Sequence, residues 1–156
     1  MNKIAKKYWL MKTEPDVFSI ETLKKDKTTR WEGVRNYQAR NHMMNDMKVG
    51  DEILFYHSST DPSSIVGLAT VSKKALPDAT QFNKKSEYFD PKATLEKPIW
   101  FCVEVKYKST LKDPLTLHQI KEISALKEMI VIQKGSRLSI QPVTEKDFNY
   151  IVKNHG

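Results

Sequence analysis

Apolar residues recur along this chain with two different spacings, and the switches between them mark out strands and short helices. Tyr8-Trp9-Leu10-Met11-Lys12-Thr13 is a compact apolar run that stops at Glu14-Pro15. Its length, its aromatic rings and the closing proline predict a strand. Ser19 then reads as a helix N-cap, with Ile20 and Leu23 on one face and Lys24-Lys25 at the end, where cations suit the helix dipole. Asn36 is a second cap, ahead of Ala39, Met43 and Met47 at helical spacing, in a segment that Gly50-Asp51 closes. Glu52 to His57 predicts a strand, Ser58 to Ser64 a polar loop, and Ile65 to Lys73 a second, alternating strand in which Gly67 marks a bulge or a close approach. Residues 74–98, with Pro77, Pro91 and Pro98, predict a long surface loop holding one helical turn at most; such a loop in a compact domain is often functional. Ile99 to Lys108 predicts a long strand. Thr116 and Gln119 form a capping-box pattern ahead of Ile120 and Ile123. Ser139 to Val143 predicts a short extended piece. Thr144 and Asp147 open a last helix, with Phe148, Ile151 and Val152 on one face.

Strands therefore outnumber long helices, and regular crossover helices do not separate them. This pattern predicts an α+β domain with a mostly antiparallel, curled sheet in place of a doubly wound parallel one. With 156 residues and neither a repeat nor a linker, residues 1–156 are expected to form a single domain. The apolar fraction of 39% and aromatic fraction of 10% exclude wholesale disorder. No run approaches the ~20 apolar residues of a membrane helix. The basic start, Met1 to Lys7, is followed too soon by Lys12, Glu14 and Asp16 to be a signal peptide. The expected location is the cytoplasm, or the nucleus in a eukaryote. Cys102 is the only cysteine and lies within Ile99-Trp100-Phe101-Cys102-Val103, which reads as a small buried hydrophobe in a reducing compartment.

The net charge of +7 favours polyanionic partners, although lysine, which supplies most of it, is equally an ordinary solvated coat. Arginine is more selective. Three of the four, Arg30, Arg35 and Arg40, fall in one short stretch, and Arg137 is the fourth. Planar guanidinium groups suit bidentate or stacking work. No phosphate-cradling glycine loop and no His-Glu-x-x-His pattern is present, and His42, His57, His118 and His155 show no metal-ligand spacing, so neither cofactor nor metal is expected. His57 and Ser58 adjoin on a strand end and point to opposite faces, which argues against a base–nucleophile pair. The stretch Trp31 to Asn41 combines two aromatics, two arginines, two asparagines and a glutamine. Rings that stack on a base and polar groups that bond its edge are what a flipped base requires. The same residues also suit a helix start, with Asn36 as cap, Trp31 in the core and the arginines in solvent. Two smaller polar clusters, Tyr56-His57-Ser58-Ser59 and Ser136-Arg137-Leu138-Ser139, read as turns or as sites.

Four blocks, taken in order, resemble the EVE domain family: Tyr8 to Pro15; Trp31-x-Gly33-Val34-Arg35-Asn36-Tyr37-Gln38-Ala39-Arg40-Asn41; Gly50-Asp51 with Phe55-Tyr56-His57-Ser58 and Ile65-Val66-Gly67; and Ser136 to Val143. The resemblance runs from Tyr8 to the C-terminus. It implies a PUA-like, mostly antiparallel β-barrel of five to six strands with short helices, related to the YTH and ASCH domains. It also implies a nucleic-acid-binding domain that holds a modified base, such as a 5-substituted cytosine, in a pocket on the barrel. The alternatives are an RNA-binding PUA- or ASCH-like module and a small enzyme acting on a modified nucleoside, for which Glu14, His57 and Ser58 are the available groups. The absence of a long basic stretch ahead of Tyr8 points to a stand-alone bacterial member. The pocket that the resemblance implies is drawn from Thr13, Glu14, Trp31, Arg35, Asn36, Tyr37, Arg40, Tyr56, His57, Ser58 and Arg137. The expected partner is DNA or RNA, with no membrane and no obligate protein partner.

Overall fold

The computed structural model of the protein describes residues 6–134 and 137–156. Met1 to Ala5 of the basic start, and Ser136 of the last block, lie outside the described residues.

The apolar run at the start forms β1 (Tyr8–Thr13), followed by α1 (Ile20–Asp26), the short β2 (Thr28–Arg30) and α2 (Tyr37–Asn41), which continues into a π-helical turn at His42–Asp46. Next come β3 (Glu52–His57), β4 (Ser64–Pro77), a 3₁₀ turn (Ala79–Phe82) and β5 (Phe101–Thr116). The chain ends with α3 (Leu117–Glu122), 3₁₀ turns at Ser124–Leu126 and Ile130–Ile132, β6 (Ile140–Val143) and α4 (Glu145–His155). One sheet takes all six strands in the order β2-β5-β4-β3-β1-β6. Every neighbouring pair is antiparallel except β1 and β3, which run parallel from Tyr8 opposite Glu52 to Thr13 opposite His57. Parallel neighbours need a crossover connection. Here residues 14–51 provide it, and they carry the Trp31 to Asn41 signature.

Strand alternation sends successive side chains to opposite faces, and both faces are covered, so β3 is buried at every position. On one face Trp9, Met11, Ile53 and Phe55 pack with Ile20 and Leu23 of α1, with Trp31, and with Ala39, Met43 and Met47. On the other, Leu10, Leu54, Ile65 and Leu115 pack with Ile120 of α3 and with Phe148 and Ile151 of α4. Fully burying a leucine or isoleucine stabilises by roughly 1.5–3 kcal/mol, so these two layers dominate the stability. The helix starts follow the caps expected from the sequence. Ser19 Oγ accepts from the Thr22 N–H at 3.2 Å, Asn36 Oδ1 from Ala39 at 2.9 Å and Thr144 Oγ1 from Asp147 at 3.1 Å. Thr116 and Gln119 bond reciprocally as a capping box. Gly67 is both a bulge and a close approach, as its position in the strand pattern suggests. A Cβ there would stand 2.6 Å from Ile20 Cδ1 and 2.9 Å from the Ser109 carbonyl.

Three expectations need correction. β5 runs past Lys108 to Thr116 and β4 past Lys73 to Pro77; the end of β4 is exposed or half-buried, and past Lys108 the buried residues of β5 are Leu111 and Leu115, four apart, so the period-two apolar signal fades while the ladder continues. The segment from Tyr37 to Met47 is not one regular helix. The Met47 N–H reaches the His42 carbonyl at 2.9 Å, and the wider turn still turns Met43 and Met47 inward. The loop after β4 is not simply a surface loop, since Asp78 and Gln81 are 1% and 0% exposed. Closure into a barrel is not given by the pairing: among the described residues the ladder runs from β2 to β6, and those two edge strands are not paired with each other.

Candidate functional site

The candidate site forms where three turns converge. β1 ends at Glu14-Pro15. The chain then folds back, because the Val17 and Phe18 N–H groups both donate to the Glu14 carbonyl at 2.9 Å and Thr13 Oγ1 donates to the Phe18 carbonyl at 3.1 Å. β2 leads into Trp31, which is pinned by its N–H to the Val103 carbonyl at 2.9 Å. The Trp31 indole stands edge-on to Phe55, with centroids 5.7 Å apart. Gly33 then turns the chain at φ +87°, a conformation that favours glycine. Its missing side chain matters as well, because a Cβ would lie 2.8 Å from the Tyr88 ring. Between these segments lies a cleft of about 490 Å³, with Lys12, Thr13, Glu14, Phe18, Arg30, Trp31, Glu32, Arg35, Thr80, Tyr88 and Ser139 among its lining residues. That volume suits a small ligand or a single base.

One buried carboxylate organises the far wall. Asp78 Oδ2 accepts from the Gly33 N–H at 2.8 Å and from Arg35 Nη1 at 3.2 Å; Oδ1 accepts from the Thr80 N–H at 2.8 Å and from its hydroxyl at 2.5 Å. Burial alone would push this carboxyl up, but the bonds from Thr80, Gly33 and Arg35 outweigh it and hold the group below the usual carboxylate range. Arg35 is a structural strap. Besides Asp78 it donates to the Tyr88 carbonyl at 2.6 and 3.1 Å, to the Val34 carbonyl at 2.9 Å and to Thr80 Oγ1 at 3.0 Å. Gln81 locks the base of the same loop. Its amide donates to the Asp78 and Trp100 carbonyls and accepts from the Ile99 and Trp100 N–H groups, all within 2.7–2.9 Å.

With Arg35 matched to Asp78, the cleft keeps Lys12, Arg30, Glu14 and Glu32 as its charged lining. Burial pushes the Lys12 ammonium below its ordinary range, and among the described residues no carboxylate pairs with it; the ammonium lies 5.9 Å from the centroid of the Tyr56 ring. Glu32 is pushed up by burial and by the charge of Asp78, with Arg30 partly opposing. Donors and acceptors facing one small cavity suit the edge of a base better than a phosphate, which asks for donors alone.

Of the residues expected at the site, Thr13, Glu14, Trp31 and Arg35 line the cleft and the others lie elsewhere. Asn36 is an exposed helix cap. Tyr37 and Arg40 form an outer stack with Trp100. Tyr56 is buried in the second core. His57 Nε2 accepts from the Ile20 N–H at 3.1 Å, and burial, opposed only in part by the charge of Glu21, lowers its pKa, so the neutral ring caps the start of α1. Ser58 donates its N–H to the Thr13 carbonyl at 2.9 Å, and Arg137 is exposed outside the cleft. Sequence reasoning missed Lys12, Phe18, Arg30, Glu32, Thr80, Tyr88 and Ser139 as lining residues. The length of the 74–98 loop was the one signal that could have drawn in Thr80 and Tyr88. Among the described residues, no group of three His, Cys, Asp or Glu side chains could hold a metal, and no helix is long and apolar enough to cross a membrane.

Comparison with known proteins agrees with this architecture. Human thymocyte nuclear protein 1 is 38% identical over 93% of this chain and 72% of its own length. A hypothetical protein from Leishmania major superposes with a TM-score of 0.90 at 48% identity, covering 96% of this chain and 94% of that one. The human THYN1 protein, solved in complex with 5-methylcytosine-containing DNA, superposes with a TM-score of 0.87 at 39% identity, covering 94% and 96%. The sequence model of the EVE domain matches residues 7–154, and on that match the chain belongs to the EVE domain family.

Proposed function

We propose that this protein binds nucleic acid and reads a modified base, a 5-substituted cytosine, turned into the cleft between β1, the Gly33 turn and the 78–88 segment. The observation that carries the reading is the cleft itself, about 490 Å³, walled by Trp31 and Tyr88 and edged by both acids and bases. Support comes from the likeness to human THYN1, which was solved with 5-methylcytosine-containing DNA. Turning a base out of its stack costs a few kcal/mol, and one aromatic partner returns about 1–3 kcal/mol. Discrimination then rests on edge contacts. A carboxylate accepts from the cytosine amino group, a role for Glu14 or Glu32, and the unpaired Lys12 donates to the ring's acceptors. Trp31, only 7% exposed, serves as a wall, and Tyr88 or Phe18 offers the stacking face.

The activity is binding without turnover. His57 is committed to the Ile20 N–H, and Ser58 is not among the cleft residues, so Glu14 stands there without its supposed partners. The six strands share one sheet with both cores on it, which supports one domain acting as a unit; the bulges along β4 and β5 support a sheet curled toward a PUA-like barrel.

The test is a titration of duplex DNA and single-stranded RNA, each with cytosine or 5-methylcytosine at one position, by fluorescence anisotropy. Tighter binding of the methylated duplex is expected, and Lys12→Met, which keeps bulk and removes charge, is expected to erase that preference. Equal affinity for all four oligonucleotides refutes base reading. A preference seen on RNA alone moves the assignment to the RNA-binding module.

A further inference from the structure

Outside the cleft, the signature places an aromatic ring on the surface and supports it from beneath. Tyr37 is 60% exposed. Its ring stacks on Trp100 with centroids 4.9 Å apart and planes 26° from parallel. The Arg40 guanidinium carbon lies 4.7 Å from the Tyr37 centroid and 5.8 Å from that of Trp100. Those three distances close a nearly equilateral triangle, so Trp100 and Arg40 cannot sit on opposite faces of the tyrosine. One face of Tyr37 is supported, and the other meets solvent.

The support is stiff. Trp100 is 5% exposed, donates Nε1 to Asp90 Oδ2 at 2.8 Å, and is held through its backbone by Gln81. Arg40 donates Nη1 to the Ile99 carbonyl at 2.9 Å and uses Nε and Nη2 on Asn41 Oδ1, yet among the described residues no carboxylate neutralises it. The stack is also continuous with the cleft. The Arg35 guanidinium, a lining group of the cleft, lies 5.6 Å from the Tyr88 ring and 5.2 Å from the Trp100 ring. Three contacts of about this length lead from the cleft wall to Tyr37, a span of a few nucleotides at ~3.4 Å per nucleotide of stacked strand.

We propose that Tyr37, backed by Trp100 and flanked by Arg40, is a second contact on the same nucleic acid. It stacks on an unpaired base a few nucleotides from the one held in the cleft, while Arg40 meets the adjoining phosphate. An open ring face beside an unneutralised guanidinium, on a chain of net charge +7, fits a base and its phosphate. Every base has a stacking face, so this contact adds affinity without reading the modification. The inference rests on the reading of the cleft as a base pocket, but the two separate in experiment.

The test compares wild type, Tyr37→Ala and Tyr37→Phe on methylated and unmethylated duplexes in which the strand with the target cytosine is left unpaired a few nucleotides from it and carries 2-aminopurine at successive positions of that unpaired stretch. Tyr37→Ala is expected to weaken both oligonucleotides by the same factor, about 5- to 150-fold for one lost stack. It is also expected to abolish 2-aminopurine quenching at one flanking position, whereas Tyr37→Phe, which keeps the ring, binds and quenches as wild type does. Because Tyr37 is a surface residue, a thermal melt of each variant confirms that the fold is retained. Wild-type affinity and quenching in Tyr37→Ala would overturn the proposal, as would loss of the methylation preference with unmethylated binding intact. A wild-type protein that shows no methylation preference, combined with uniform weakening in Tyr37→Ala, refutes the cleft reading and leaves this contact standing.

Discussion

Replacing Asp78 with alanine tests the far wall of the cleft most directly. The carboxylate is 1% exposed and takes four hydrogen bonds, from the Gly33 N–H, Arg35, the Thr80 N–H and the Thr80 hydroxyl. Bonds to a charged acceptor contribute about 1.5–3 kcal/mol each, but adding four of them overstates the loss. Arg35 keeps the Tyr88 and Val34 carbonyls, and its side chain is 23% exposed, so water takes up part of its stranded charge. The Gly33 and Thr80 N–H groups, in contrast, are left without the acceptor they have. Weighing the two, we expect a loss of about 3 kcal/mol, the lower end of the ~3–5 kcal/mol for breaking a buried pair. For a domain of this size that lowers Tm by about 6–12 °C. The assay is a thermal melt with a urea titration, in which the midpoint falls and the m-value is unchanged. Acid supplies a second signature. The Asp78 pKa is depressed on folding, so its stabilisation is present above the unfolded pKa near ~3.9 and is lost as pH falls through the folded value. Wild type therefore loses this component below about pH 4, and Asp78→Ala has none to lose. A variant within about 1 kcal/mol of wild type, with the same acid limb, would refute the argument that this carboxylate organises the wall.

Gly33→Ala is expected to cost about 1–3 kcal/mol, because the position sits at φ +87° and the new methyl would stand 2.8 Å from the Tyr88 ring. Its binding should lose methylation preference as Tyr88 is displaced, so unchanged urea midpoints and unchanged preference would contradict it. His57 has a pKa lowered by burial, so its contribution is intact above the unfolded value near ~6.5 and is lost as pH falls below it. A urea series from pH 7.5 to 5 should therefore show a decline in wild type that is shallower in His57→Gln, and identical slopes would count against the neutral cap on α1. Thr116→Ala removes half of the capping box and should lower stability by about 1 kcal/mol in the same assay. Binding should weaken steeply with salt, by a slope of about −0.9 per phosphate contacted; affinity that stays flat between low and high salt would exclude a phosphate-contacting rim.

Most of the elements, and the family, were legible in the residues alone, whereas the short β2 and the π-helical turn after α2 were not. Side-chain period, proline positions and capping residues are local properties, so β1, β3, the starts of α1, α3 and α4, and the cap at Asn36 follow from neighbouring residues without any distant contact. The Trp31 to Asn41 signature pointed to the right region for the same reason: it is one continuous stretch. What that stretch does was divided by the tertiary structure. Trp31 and Arg35 turn to the cleft, Asn36 caps a helix, and Tyr37 and Arg40 turn outward onto Trp100, more than fifty residues along the chain. Only folding brings Asp78, Thr80 and Tyr88 against Gly33 and Arg35, because the long β4–β5 hairpin carries its connecting loop back over the crossover between β1 and β3. The charges were legible as residues but not as chemistry. Arg35 reads as a free cation until Asp78 is found beside it, and Lys12 as a solvated lysine until burial leaves it without a carboxylate partner. His57 likewise looks like a general base until the Ile20 N–H occupies its ring nitrogen. Each of these outcomes depends on a partner distant in sequence, and such a partner is fixed by the packing of the whole chain, not by the residues on either side.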